Sequence, residues 1–150
     1  MSLSIIEHNE ITWINIENPT DADIDYIREQ YPTHHPLALE DCLSRIERPK
    51  IDDFNDHIFI VMQFPVFDAS RHMSRAVEVD MFLGWSYLIT VHDGELKPLN
   101  HLHTVCQNDE AARSHYLGRG AGMLLHAVID TLVDYLFPIM QKVDQKITRI

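Results

Sequence analysis

Cysteine is scarce: Cys42 and Cys106 are the only two in 150 residues. Two thiols without Cys-x-x-Cys spacing exclude a disulfide framework and a cysteine-based zinc site. They read as buried or unreactive thiols of a reducing compartment. Glycine is scarce too, at five. No phosphate-cradling loop and no Gly-x-Ser-x-Gly elbow can be assembled, and His-Glu-x-x-His is absent. Gly118-Arg119-Gly120 is not followed by the rest of a dinucleotide fingerprint. Basic residues are few, 12 Lys and Arg against 23 Asp and Glu, for a net charge of −11. Such a surface repels phosphates, so nucleic acid is excluded as a partner and cations are favoured. A long uninterrupted apolar run is also missing. Residues 123–140 come nearest, but His126, Asp130, Asp134 and Pro138 interrupt them, where a span needs about 20 mostly apolar residues. The first residues lack the basic region and apolar core of a signal peptide. The expectation is a soluble chain.

What is present is enough for a core. Apolar residues make up 45%, and a chain of this length buries about 70% of its unfolded surface as one domain. Strands are expected at residues 3–6 and 12–16. Thr20 should cap a helix running to about Gln30, with Asp23 at its third position and Ile24 and Ile27 buried. Pro36 opens a second short helix after His35, with Leu39 and Leu43 inward and Glu40 and Asp41 at the rim of that stripe. Residues 50–54 and 57–66 read as two strands about an Asn55-Asp56 turn. Residues 58–62 are nearly all apolar, the pattern of a central strand. Residues 69–74 read as a polar loop, then strands come at 77–83 and 87–91. Leu99, Leu102, Val105 and Cys106 give a helix of about ten residues. After a break at Gly118 and Gly120, apolar residues recur every three or four positions from Leu124 to Ile150 without a capping signal.

Ten histidines are present, but none of their groupings has metal-ligand spacing, and they read as scattered surface residues. The carboxylates are more pointed. Asp130 and Asp134 stack one turn apart on the long helix, and Glu40 and Asp41 interrupt a Leu-rich one. Two carboxylates about 5 Å apart repel by roughly 3 kcal/mol at an effective dielectric near 20. A solvated helix face and a shared hard-cation site both remain open from spacing alone.

In order along the chain, Trp13-Ile14-Asn15-Ile16, the run from His35 to Asp41 (His-Pro-Leu-Ala-Leu-Glu-Asp), Arg48-Pro49-Lys50, the strands leading into Phe82-Leu83-Gly84 and Leu88-Ile89-Thr90-Val91, and Leu124 to Asp134 resemble segments of the CorA-type divalent-cation transporters. The resemblance implies a three-layer α/β/α sandwich with a mixed, largely antiparallel sheet, at residues 1–116. The start of a long stalk helix follows, at residues 117–150, packing on that domain. It implies a regulatory domain and not an enzyme. The family forms homopentameric channels, whose transmembrane helices and Gly-Met-Asn signature are absent from this sequence. The full-length protein would sit in the inner membrane, with this portion on the cytoplasmic side. Regulatory Mg²⁺ would lie between neighbouring copies, on Asp41, Glu40 and Asp130, with Co²⁺ or Zn²⁺ as alternative ions. The rival reading is a stand-alone acidic module that oligomerises through its long helix and binds no metal. A metal-assisted hydrolase ranks below both, because no multi-ligand site within one chain can be assembled.

Overall fold

The computed structural model describes residues 2–34, 36–44, 48–68 and 70–148. Strands β1 (Leu3–His8), β2 (Ile11–Glu17), β3 (Lys50–Asp53), β4 (His57–Asp68), β5 (Met73–Gly84) and β6 (Tyr87–His92) form one sheet, in the order β1-β2-β6-β5-β4-β3. Among the described residues, only the β2–β6 pairing is parallel. Helices α1 (Asp21–Gln30) and α2 (Pro36–Leu43) cover one face. Helices α3 (Lys97–Asn108), α4 (Glu110–Leu117) and α5 (Ala121–Thr148) cover the other. This is the expected α/β/α sandwich with a mixed sheet.

Strand alternation builds two cores back to back. Ile14, Phe59, Val61, Phe82 and Ile89 meet Ile24, Ile27, Leu39 and Cys42 on the first face. Trp13, Ile60, Met81 and Leu88 meet Leu99, Cys106, Leu124, Val128 and Leu132 on the second. Central strands are therefore apolar at consecutive positions. Phe59, Ile60 and Val61 are all buried, each facing a different layer from its neighbour.

The start of α1 follows its sequence signature. Thr20 Oγ1 accepts from the Asp23 backbone N–H, and Asp23 Oδ2 accepts from that of Thr20 at 2.9 Å. Ser2 Oγ also donates to Asp23, at 3.0 Å. Burial works against the Asp23 charge, but the hydrogen bonds from Thr20 and Ser2 hold the carboxyl below its usual range. Thr20→Ala should cost about 1 kcal/mol. In urea denaturation the midpoint should fall with the slope unchanged, and an unaltered midpoint would mean that the cap is dispensable.

Several elements differ from expectation. Residues 73 and 74, read as loop, belong to β5, and β4 runs to Asp68. Both strands thus have 12 residues, while β6 pairs with only residues 79–83 of β5. Beyond that the hairpin runs on without β6 beside it. Leu43 is 38% exposed instead of buried, and Cys42 takes the inward place. The helix α4 had no sequence signal, because Leu117 is its only buried residue and no stripe forms. Its N-cap is Asp109, whose Oδ1 accepts from Ala111 N–H at 3.0 Å. The expected helix opening at His35 and the periodic position Ile150 lie outside the described residues.

At 28 residues, α5 is long and apolar enough to cross a membrane by length and composition, contrary to the expectation drawn from its interruptions. Its first half lies on the sheet, with Leu124, Val128 and Leu132 in the second core. Its second half follows the projecting hairpin. There the Lys142 and Lys146 ammonium groups lie 4.7 and 5.5 Å from the Phe67 ring centroid.

Candidate cation site

The three residues proposed as ion ligands come from two layers. Residues 36–43 turn helical because Pro36 starts the helix at no hydrogen-bond cost and Ala38, Leu39 and Cys42 form an inward stripe. Glu40 and Asp41 flank that stripe; Glu40 is exposed and Asp41 partly buried. On the far side of the sheet, α5 buries Leu124, Val128 and Leu132 and leaves Asp130 and Asp134 exposed. The structure therefore brings Glu40 and Asp41 together and keeps Asp130 apart from them. Among the described residues, no group of three or more His, Cys, Asp or Glu side chains could hold a metal within one chain.

Asp41 has a partner that sequence reasoning missed. Lys50 Nζ lies 2.8 Å from Asp41 Oδ2 and 3.3 Å from Asp52 Oδ2. Strand register explains the arrangement. Lys50 pairs with Val61 and Asp52 with Phe59, so both point to the α1/α2 face, while Ile51 between them is 72% exposed. Lys50 Nζ also stands 5.5 Å from the Phe59 ring centroid. The hydrogen bond to Asp41 raises the lysine pKa, with burial opposing it and the hydrogen bond to Asp52 adding to it, so the ammonium stays charged. The i, i+2 spacing of Lys50 and Asp52 on a strand was the available signal.

Four histidines overturn the surface expectation, while His72, His101, His115 and His126 are exposed as expected. His34, His57, His92 and His103 are buried, at 2–5% exposure. His34 stacks on His57 and Phe82, with centroids 4.2 and 4.6 Å away. Its Nε2 is 2.6 Å from the Tyr87 hydroxyl. His57 Nδ1 lies 2.7 Å from Asp56 Oδ1. Burial, helped by the neighbouring His57 and opposed by Asp56, pushes His34 down to about 4. On the other face, Trp13 Nε1 donates to Thr90 Oγ1, which donates to Asn15 Oδ1 at 2.7 Å; His92 Nε2 lies 2.9 Å from the same oxygen. His103 meets the Trp13 ring edge-on at 4.7 Å. Burial also pushes His92 and His103 down to about 4. His34, His92 and His103 are thus buried in the neutral form.

The thiols behave as expected. Cys42 and Cys106 are free and buried. Burial pushes Cys106 up to about 11, and burial with nearby Asp80 raises Cys42 further from reactivity.

A six-stranded mixed sheet sandwiched by helices, ending in a long helix with acidic outer positions, defines the class by fold: an α/β/α domain that leads into a long helix. Residues 8–150 match the model of the CorA-like Mg²⁺ transporter proteins, and the chain belongs to that family. It is 29% identical over 136 residues to the cobalt/magnesium transport protein CorA of Thermotoga maritima, covering 91% of this chain and 38% of that one. It is 27% identical over 138 residues to the putative metal ion transporter YfjQ of Bacillus subtilis, covering 92% and 40%. The chain thus spans about two fifths of the length of these curated relatives. The fold is similar to that of the soluble domain of CorA from Methanocaldococcus jannaschii, with a TM-score of 0.75 at 18% identity, over 93% of this chain and 54% of that one. The ZntB cytoplasmic domain from Vibrio parahaemolyticus matches with a TM-score of 0.71 at 11% identity, over 96% and 55%.

Proposed function

We propose that this chain is the cytosolic regulatory domain of a CorA-type Mg²⁺/Co²⁺ transporter, and that it senses the ion at contacts between copies of itself. The family match over residues 8–150 carries this reading. The layered geometry supports its second half. Asp41 and Glu40 face outward from one layer and Asp130 from the opposite one, so the three can meet only when one copy's α2 face approaches another's α5 face. In a homopentameric ring every copy would present both. With ions abundant, carboxylates of neighbours share them and the ring stays closed. With ions scarce, uncompensated acidic faces repel and the ring loosens. The ion biases the equilibrium by its differential affinity for the two states.

An all-oxygen donor set suits Mg²⁺, which keeps several waters and takes one or two carboxylates. Zn²⁺ would seek nitrogen or sulfur. The long helix α5 would continue as the stalk towards the membrane. Exposed Val133, Met140 and Ile147 at seven-residue spacing, with Val143 between, provide an apolar seam on it for packing.

The test uses the full-length transporter. Mg²⁺ should protect the wild-type protein from limited proteolysis, and Asp41→Asn with Asp130→Asn should remove most of that protection. Unchanged protection in the double variant would sink the ligand assignment. Protection absent already in the wild type would favour the metal-free oligomerisation module.

A further inference from the structure

We infer that the stacked pair of His34 and His57 is a proton-sensitive latch, which holds the α1–α2 connection and with it α2 on the sheet at neutral pH and releases them on mild acidification. The inference needs no ion at Asp41 and goes beyond the sensing proposal. The two halves of the latch come from different parts of the chain. His57 opens β4 and pairs in the strand ladder with Gly84. His34 lies in the connection, where its backbone N–H donates to the Tyr31 carbonyl at 3.1 Å. The rings of Phe82, His34, His57 and Phe54 stack in that order, with successive centroids 4.6, 4.2 and 5.0 Å apart. The Tyr87 hydroxyl, on β6, meets His34 from the side. Thr33, next to His34, bonds through its side chain to Asp56, in the turn before β4.

The closed stack has no place for a second proton on either ring. Asp56 Oδ1, 2.7 Å from His57 Nδ1, accepts only, so a second proton on His57 would go to Nε2. On His34 the Tyr87 hydroxyl takes Nε2, so the fully protonated ring would carry an N–H at Nδ1 without an acceptor. His57 Nε2 and His34 Nδ1 are both buried with no hydrogen-bond partner. A proton at either atom would bury a charge and an unmatched N–H among aromatic rings. The charged group facing His34 is Asp56, whose carboxyl is held below its usual range by hydrogen bonds from Thr33 and His57. Burial raises Tyr31 and Tyr87, so both stay neutral; Tyr26 and Glu7 face Tyr31 in turn.

His34 takes a proton once water reaches it, and the connection is the side that yields. The strand ladder fixes His57, whereas a turn, ring contacts and two side-chain hydrogen bonds hold the segment of His34. Released, His34 titrates near the ordinary 6.5, against about 4 when stacked. The ratio of released to seated chain therefore rises about fourfold from pH 7.5 to pH 6, and about thirtyfold by pH 5. Glu40 and Asp41 ride on α2, so their position follows the latch.

The chain carries its own reporters. Cys42 is buried on α2 in the first core, and Cys106 on α3 in the second. The experiment labels the 150-residue chain with a dithiodipyridine reagent at pH 7.5 and pH 6. Each rate is scaled to that of the same chain unfolded in urea at the same pH, which cancels the chemistry of the reagent. Cys42 should label faster than Cys106 at both pH values, and its scaled rate should rise about fourfold at the lower one. His34→Phe keeps an aromatic ring in the stack and should abolish that rise. His103→Phe, in the other core, should leave it intact. Equal rates at the two thiols would mean that only global unfolding exposes them, and would overturn the latch. A Cys42 rate indifferent to pH, a rise that survives His34→Phe, or one lost in His103→Phe would overturn it too. If His34→Phe does not fold, the comparison of the two thiols in the wild-type chain decides alone.

Discussion

Lowering the pH from 7 to 4 at constant ionic strength should unfold the domain cooperatively, with most of the loss between about pH 6 and pH 4. Three buried histidines set that window. His34, His92 and His103 have folded-state values of about 4 against an ordinary 6.5. Below 6.5 the unfolded chain takes up protons that the folded chain refuses. Stability therefore falls as pH drops through 6.5 and levels off below about 4. A full shift of this size corresponds to about 3 kcal/mol per histidine. Three together rival the whole stability of an ordinary domain, about 5–15 kcal/mol. Asp23, held below its usual range, extends the loss to lower pH. Fluorescence reports the transition directly, because Trp13 is fully buried and Trp85 is 89% exposed. His34→Phe with His103→Phe should move the acid midpoint downward. A wild-type chain that stays folded to pH 3 would refute the account.

Phe82→Ala should cost about 3–5 kcal/mol. The ring has no exposed surface, and its centroid lies 4.6 Å from those of both Phe59 and His34. Its removal leaves a cavity at the centre of the first core, between β4, β5 and the α1–α2 connection. Aromatic neighbours that large cannot collapse into the gap, so both transfer and cavity terms count. The same substitution should admit water to His34 and let its pKa climb from about 4 towards the ordinary value. Urea denaturation measures the first effect and NMR titration of the ring protons the second. A loss under about 1 kcal/mol, or a His34 value that does not move, would contradict the stacked-core description.

Much of this was legible in the sequence, for reasons that can be named. Thr20 and Asp23 form a local device, complete within four residues, and they sit as read. The apolar run of β4 is continuous because both faces of a central strand are covered. The length of the β4–β5 hairpin was not legible, since Met73 and Ser74 sit in a polar stretch and their strand pairing depends on a partner sequence. Helix α4 lacks the stripe that periodicity detects, and its position depends on the Asp109 cap, on Leu117 and Tyr116 against the core, and on Arg113 donating to the Cys106 and Gln107 carbonyls. The burial of four histidines was hidden for a different reason. His34 and His57 are 23 residues apart and meet only through the fold. For the candidate site, Glu40, Asp41 and Asp130 were singled out from charge in an apolar pattern and from family resemblance. Their distribution over two layers, and the lysine seated on Asp41, needed coordinates.

The projecting hairpin and α5 make one mechanical unit. The helix is about 42 Å long and the 12-residue strands about 40 Å, so the two lie as matched struts. They are joined near the core by Leu124 and Val128 and at the far end by Lys142 and Lys146 on Phe67. Lys146 also donates to the His72 carbonyl at the hairpin tip. A strut fixed at one end bends under a sideways load, whereas two struts braced at both ends resist it as a truss. Force applied to the far end of the helix would then arrive at the sheet as a tilt of the whole layer, with little lost to flexing on the way.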